Sequence, residues 1–271
     1  MDPFTLSCTT CSTRGIIRDE VLACLEHAPK AGYQYWGLAG PPLWDLGGAR
    51  WFDWAKVKNA ADAAGMRGLT EVYGPQFPTE SVEAAVAAAE EMALMFEMAE
   101  NLDCPLVVIT GGSRRPHDHL NATIAGIRRL LEILPDNGVK LALEPHFFSG
   151  LERRTDFEAI FQAIDDPRVG ITVDTGHFHM AREDWKGIIR DFAPRILNVH
   201  VKDHIEYRSV PLGAGDIDLH GMVEALASIE YRGALAVELE VEDPENLPGY
   251  VADSWKFLSG IVQQVVGAKP R

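Results

Sequence analysis

Short apolar runs of strand length alternate with longer amphipathic stretches along the whole of this chain, and few folds accept that alternation. It reads as repeated βα units, whose strands lie parallel and side by side. Eight runs qualify: Thr5 to Thr9, Tyr33 to Leu38, Arg67 to Val72, Pro105 to Thr110, Lys140 to Glu144, Gly170 to Asp174, Ile196 to Val201 and Ala234 to Leu239. In residues 79 to 101, Val82, Val86, Ala89, Ala93 and Phe96 recur every three or four positions, so a helix with that stripe turned inward is expected. Ala64 with Gly65, Asn137 with Gly138, and Asp166 with Pro167 are turn signals set just ahead of strands. Eight units predict a closed (β/α)8 TIM barrel, an α/β fold that commonly takes about 250 residues. Residues 1–271 are expected to form a single domain. The competing doubly wound sheet usually carries a Gly-rich phosphate loop after its first strand. Arg14 and Gly15 supply none, and Gly111 with Gly112 reads as a chain turn. Met1 to Phe4 are given no place in this scheme.

A formal net charge of −15 opposes polyanions, so neither nucleic acid nor an anionic membrane surface is an expected partner. Arg114 with Arg115, and Arg128 with Arg129, are short pairs and not a basic patch. No apolar run approaches the roughly 18 residues of a membrane span, and no basic segment followed by an apolar stretch opens the chain. A cytoplasmic location is therefore expected. Cys8, Cys11, Cys24 and Cys104 are too few and too irregular for a disulfide scaffold. Cys8 and Cys11 have the spacing of a redox pair or half a zinc site, but no second pair follows, and two small buried residues are the expected reading. A homo-oligomer is one assembly the sequence allows.

In the second half, four runs lead into a residue able to bind a divalent metal. Val139 to Leu143 is followed by Glu144, Val169 to Val173 by Asp174, Arg195 to Val199 by His200, and Gly233 to Val237 by Glu238. They are spaced by about 25 to 40 residues, the length of a strand plus a helix. A barrel gathers such strand ends at one face, the face that carries the chemistry. Three carboxylates and one imidazole make a hard oxygen and nitrogen site suited to Mn²⁺, Co²⁺, Mg²⁺ or Zn²⁺, with Mn²⁺ the first choice. Any one of these residues alone reads as a solvated strand end; four at corresponding ends do not. Glu240 shares a strand face with Glu238 and competes with it. By the same two-residue period, Lys202 shares the face of His200 and reaches the same space.

The stretches Leu143 to His146, Val173 to His177 and Asn198 to Asp203 stand in order with Gly213, Gly215, Asp216 and Asp218, and Gly233 to Glu238 closes the series. Over residues 139 to 240 the chain thereby resembles the sugar phosphate isomerase and epimerase group built on a xylose-isomerase-like TIM barrel. The first half matches only in its rhythm of strands and helices. The resemblance implies that Glu144, Asp174, His200 and Glu238 hold the metal. It also implies that Glu144 and Glu238 double as acid and base, and that His177 binds substrate. The spacing from Gly233 in that group favours Glu238 over Glu240. His146 either contacts substrate or orients a ligand, and His179 reads as structural. Epimerases of the group usually carry an arginine six residues past the metal histidine, where this chain has Glu206; Arg208 substitutes if the loop shifts. Asp174 to His177 with His200 to Asp203 look instead like the branch that handles inososes.

Such chemistry removes a proton next to the carbonyl of a keto sugar or related polyol and leaves an enediolate whose charge a divalent metal stabilises. A small-molecule carbohydrate is therefore the expected partner, and a metal-dependent isomerase or epimerase the expected function. The alternative is a dehydratase, a lyase acting on an inosose or 3-keto sugar, in which His146, His177 or Lys202 protonates the leaving hydroxyl. A reading of another class is a barrel that binds a ligand without turning it over, and bound metal discriminates against it. A DNA-repair endonuclease on the same barrel needs more histidines and a basic groove. No Gly-x-Ser-x-Gly elbow supports an acyl hydrolase. Gly213 to Asp218 are expected to shape the loop after the seventh strand. Trp36, Trp44 and Tyr73 either line an apolar wall or pack.

Overall fold

A computed structural model describes residues 4–14, 20–38, 53–135 and 137–267 of the chain. Trp44 and Gly15 lie outside the described residues. The elements run β1 (Thr5–Thr9), α1 (Glu20–Ala31), β2 (Tyr35–Leu38), α2 (Trp54–Ala63), β3 (Gly68–Tyr73), α3 (Val82–Asn101), β4 (Leu106–Thr110) and α4 (His119–Ile133). They continue with β5 (Lys140–Glu144), α5 (Arg154–Ala163), β6 (Val169–Asp174), α6 (Thr175–Met180), α7 (Trp185–Asp191) and β7 (Ile196–Val201). The series ends with β8 (Asp203–Ile205), β9 (Arg208–Val210), α8 (Leu219–Ser228), β10 (Ala234–Val237) and α9 (Leu247–Gly267).

Strands β1 to β7 pair parallel in chain order, and β10 joins β7 to β1, which closes a (β/α)8 barrel. The strands are apolar almost throughout because both faces are covered, one by helices and the other by the barrel interior. All six residues of β6 are buried. Most apolar side chains fill the layer between sheet and helices. Cys11, Tyr73, Leu106, Val108 and Ala142 form a separate small cluster, with Leu197 against it. That inner plug floors the site.

Three details depart from the sequence expectation. The buried residues of α3 are Ala85, Ala88, Ala89, Met92, Met95, Phe96, Met98 and Ala99, while Val82 is exposed and Val86 and Ala93 are half-buried. The period holds, and the buried face lies beside the expected one and shares Ala89 and Phe96 with it. Phe4 is 4% exposed and packs against Tyr231, so it belongs to the core. The antiparallel hairpin β8–β9 follows β7 and was not expected. Its strands are three residues long and its turn, Glu206 and Tyr207, lacks the Asn-Gly or Asp-Gly signature, although Glu206 adopts φ 53°. The turns read at Gly65 and Gly138 do take positive φ, of 77° and 84°.

Candidate metal centre

Four side chains converge where β5, β6, β7 and β10 end. Glu144 is the last residue of β5, Asp174 the last of β6, His200 the fifth of β7, and Glu238 follows β10 directly. One ligand-type atom from each lies within 4.8 Å of all the others, and all four residues are buried. In-register pairing does this: Asp174 sits opposite His200 on β6 and β7, and His200 opposite Ala236 on β10.

His200 is held from both sides. Its Nε2 lies 2.7 Å from Glu71 Oε2, deeper in the barrel, and its Nδ1 lies 2.6 Å from Glu144 Oε1, 3.3 Å from Glu238 and 3.6 Å from Asp174. Asn198 Nδ2 donates to the same Glu71 oxygen at 2.5 Å. Glu71 collects donors on the Nε2 side and keeps a proton there; burial opposes charge on His200, but Glu71, Glu144 and Glu238 outweigh it and raise its pKa well above the ordinary imidazole range, so without metal Nδ1 is protonated too and a cation would take the place of that proton. Gly37 opposes Glu71 on β2, and a Cβ there would stand 2.7 Å from Glu71 Oε1. The glycine makes room for the carboxylate.

Asp174 does two jobs through its two oxygens. Oδ1 caps α6 by accepting the His177 N–H at 2.7 Å, while Oδ2 faces the cluster. The next residues fit that geometry: Thr175 Oγ1 bonds both the N–H and the carbonyl of Lys202, and a Cβ at Gly176 would stand 3.0 Å from Lys202 Cβ. The run Asp174 to His177 thus welds the end of β6 to the end of β7.

Lys202 is 2% exposed, with its Nζ 3.2 Å from Asp174, 2.9 Å from Glu238, 3.0 Å from Glu240 and 3.2 Å from His177 Nε2. Burial alone would lower its pKa, but Asp174, Glu238 and Glu240 raise it, so it is an ammonium. Burial disfavours charge on His177 too, and there Lys202 adds to the effect, holding the imidazole neutral. A neutral imidazole has one acceptor nitrogen, which serves either Lys202 or the Phe147 N–H, 3.4 Å from Nδ1. Burial pushes Glu144 up to about 7 against the pull of His200. Burial works against the charge of Asp174 and Glu238 as well, yet Lys202 and His200 hold both below the usual carboxylate range.

This donor set fits a divalent cation. Asp174 Oδ2 and Glu238 Oε2 are buried and accept no well-angled hydrogen bond, although Lys202 is near both. Glu71, Glu144, Asp174, Glu238 and Glu240 outnumber Lys202 and His200, and a buried acidic excess of that kind is stabilised by a metal.

Above the cluster opens a cavity of about 310 Å³, lined in part by Arg14, Gln76, Thr110, His146, Lys202 and Glu240, which is large enough for a small ligand. His146 is exposed at its edge, its ring 4.2 Å from that of His177. Behind them, buried Asp156 accepts the N–H groups of Glu152 and Arg153 and pairs with Arg114, which also donates to the Ser149 carbonyl and so fixes the loop after β5. Asp203 organises the other side by accepting the N–H groups of Gly213, Gly215 and Ile217, which is how residues 213–218 shape their loop.

The structure brings Glu144, Asp174, His200, Glu238, His177, His146 and Lys202 together. Arg208 is not among them: it is exposed on β9 and lines a different cleft, because the hairpin turns it away from the barrel mouth. Trp36 is core, 2% exposed. Tyr73 packs in the inner cluster and lines the cavity, and beyond either its hydroxyl donates to Glu144 Oε2 at 2.8 Å. Cys8 and Cys11 are buried free thiols, and Cys11 accepts from Arg14 at 2.9 Å. Glu71 was missed, although a charge inside the apolar run Arg67 to Val72 was its signal.

Comparison with known proteins bears on the fold and the family. Inosose dehydratase of Clostridium tetani is 28% identical over 138 residues, which cover 44% of this chain and 46% of that protein. The match therefore spans about half the length of that relative. Among solved structures, L-ribulose 3-epimerase superposes with a TM-score of 0.79 at 17% identity, covering 98% of this chain and 100% of the other. D-allulose 3-epimerase from Methylomonas sp. gives 0.78 at 18% identity, covering 95% and 96%. The family description of the xylose isomerase-like TIM barrel matches residues 25–260. With its closed barrel and its four-residue strand-end cluster, the chain belongs to the xylose isomerase-like TIM barrel family.

Proposed function

We propose that this chain is a divalent-metal-dependent enzyme that abstracts the proton beside the carbonyl of a keto sugar or related polyol and returns it, as an isomerase or epimerase. The observation that carries the reading is the convergence of Glu144, Asp174, His200 and Glu238 within 4.8 Å beneath an open cavity. These four residues would hold the ion, with Mn²⁺ the first choice. When bound, it supplies Lewis-acid stabilisation of the charge that develops on the substrate oxygens.

The chain's own groups do the rest. Glu144 and Glu238 come from β5 and the end of β10, with β6 and β7 between them in the barrel, so their carboxylates approach the cavity from two sides. Without metal, burial holds Glu144 up at about 7, so among the four ligand residues it is the carboxylate that takes up a proton most readily. Tyr73 steadies it through the 2.8 Å hydrogen bond. Lys202 and the neutral His177 face the substrate space as donors for its hydroxyl oxygens, and His146 closes the edge.

A second reading shares the first step and ends in loss of water. The inosose dehydratase relatives and Glu206, standing where sugar epimerases of the group have arginine, favour it. Lys202 would then protonate the leaving hydroxyl, with His177 beside it at 3.2 Å. The single chain is proposed to act as one domain, in the cytoplasm, without nucleic acid.

The test loads stripped protein with Mn²⁺ and offers a panel of keto sugars and inososes in heavy water. Metal-dependent deuterium uptake beside the carbonyl is expected, with water loss separating lyase from isomerase. Absence of exchange on every member, with metal bound, overturns the reading in favour of a non-catalytic binding barrel.

A further inference from the structure

Three of the four converging residues are set by strand pairing, and the fourth is not. Glu144 stands opposite Thr110 on β4, and Asp174 and His200 stand opposite one another on β6 and β7. Glu238 lies one residue past β10, whose pairing with β1 ends at Cys8 and Val237. Its N–H still bonds the Val201 carbonyl on the β7 side, at 3.2 Å. On the β1 side the neighbouring chain leaves the sheet, because Thr10–Thr13 coils into a turn of 3₁₀ helix directly after β1.

Ser12 in that turn takes over from the departed strand. Its Oγ donates to the Val237 carbonyl at 3.0 Å and accepts the Leu239 N–H at 2.8 Å. Those two groups belong to the peptide units on either side of the Glu238 Cα, so one hydroxyl fixes the backbone from which the carboxylate projects. Ser12, Val237 and Leu239 are all buried, which makes the hydroxyl the partner that these two main-chain groups require. The turn is itself tied down. The Thr13 hydroxyl lies 2.9 Å from the carbonyls of both Thr10 and Glu20, while Arg14 donates to Cys11 Sγ and reaches Glu240 at 3.8 Å. Cys11 and Glu240 line the cavity with Glu238, so the stretch Cys11 to Arg14 braces that wall from the opposite end of the chain.

We propose that Ser12 is the positioning residue of Glu238: by holding the peptides before and after it, the hydroxyl aims the carboxylate at the ion. This rests on the proposed role of Glu238 as a metal ligand, and metal binding tests it without any sugar.

The experiment titrates Mn²⁺ by calorimetry into stripped wild type, Ser12→Ala and Ser254→Ala, and compares the visible spectra of the three proteins loaded with Co²⁺. Ser254 is a matched control: its hydroxyl is also buried and bonds Val251 and Tyr33, in the outer layer away from the site. Both variants are expected to melt below wild type. Ser12→Ala alone is expected to bind Mn²⁺ about tenfold more weakly, the lower end for partners that orient a metal ligand, and to change the Co²⁺ spectrum. If Ser12→Ala does not fold, Ser12→Cys takes its place, because sulfur is a poor acceptor for the Leu239 N–H; a loss of several-fold is then expected. Mn²⁺ affinity within about twofold of wild type in the folded Ser12 variant, or an equal loss in Ser254→Ala, overturns the positioning role. If Ser12→Ala loses affinity and wild type exchanges deuterium on no sugar, the positioning role stands and the keto-sugar chemistry fails. Wild type that binds no Mn²⁺ overturns both.

Discussion

Replacing Glu71 by Gln tests whether the metal histidine is set from behind. Glu71 and His200 are both fully buried, so no solvent screening discounts their 2.7 Å contact. The Gln oxygen still accepts the Nε2 proton and the volume hardly changes, but a charge-assisted hydrogen bond becomes a neutral one. The first kind contributes about 1.5–3 kcal/mol and the second about 0.5–1.5. The difference, about 1 to 1.5 kcal/mol, corresponds to roughly a tenfold loss of metal affinity, at the lower edge of the 10- to 100-fold range typical for partners behind a metal ligand. Calorimetric titration of Mn²⁺ into stripped wild type and Glu71→Gln measures it. His200→Ala, which removes the ligand itself, gives the upper reference. Affinity within twofold of wild type for Glu71→Gln, in a titration where His200→Ala loses binding, would refute the claim that Glu71 orients and polarises the imidazole.

Glu144→Gln and Glu238→Gln should each lower turnover by about 10²- to 10⁴-fold, the usual share of a general acid or base, with circular dichroism and melting temperature little changed because the groups sit at the barrel mouth. Metal loading should depend on pH with a definite sign. Burial holds Glu144 at about 7, so below that pH the stripped site carries a proton there in addition to the one His200 must lose; affinity falls more steeply as pH decreases through 7, and a buffer-dependent calorimetric enthalpy reports the released protons. A flat affinity from pH 5.5 to 8 contradicts it. The same raised value makes this group's contribution to the stripped fold shrink as pH rises from the ordinary carboxylate range to about 7. Asp203→Ala removes the acceptor of three loop N–H groups and should cost about 2–4 kcal/mol in urea unfolding, together with proteolytic opening of residues 213–217.

Strand positions and strand-end ligands were legible because both obey local rules. A parallel barrel covers both faces of each strand, so its runs are apolar by necessity, and a Glu, Asp or His at the end of such a run breaks the pattern visibly. Elsewhere the rules were silent. Arg208 read as a substrate group because it lies two residues past the position where the resembled group carries an arginine, but a two-residue turn at Glu206 and Tyr207 reverses the chain and carries it into another cleft. The buried face of α3 lies beside its valines, and which side of a helix meets the sheet is decided by tertiary packing that a single-helix pattern does not encode.

The order of apolar runs, the spacing of four metal-type residues and the acidic balance belong to the sequence alone, since each follows from what a local segment must bury or expose. Only the tertiary structure decided that Glu71 from β3 and Tyr73 beside it meet residues far along the chain, and that Lys202 stands among three carboxylates. Those contacts depend on barrel closure and strand register, which set distances between segments that sequence separation does not constrain.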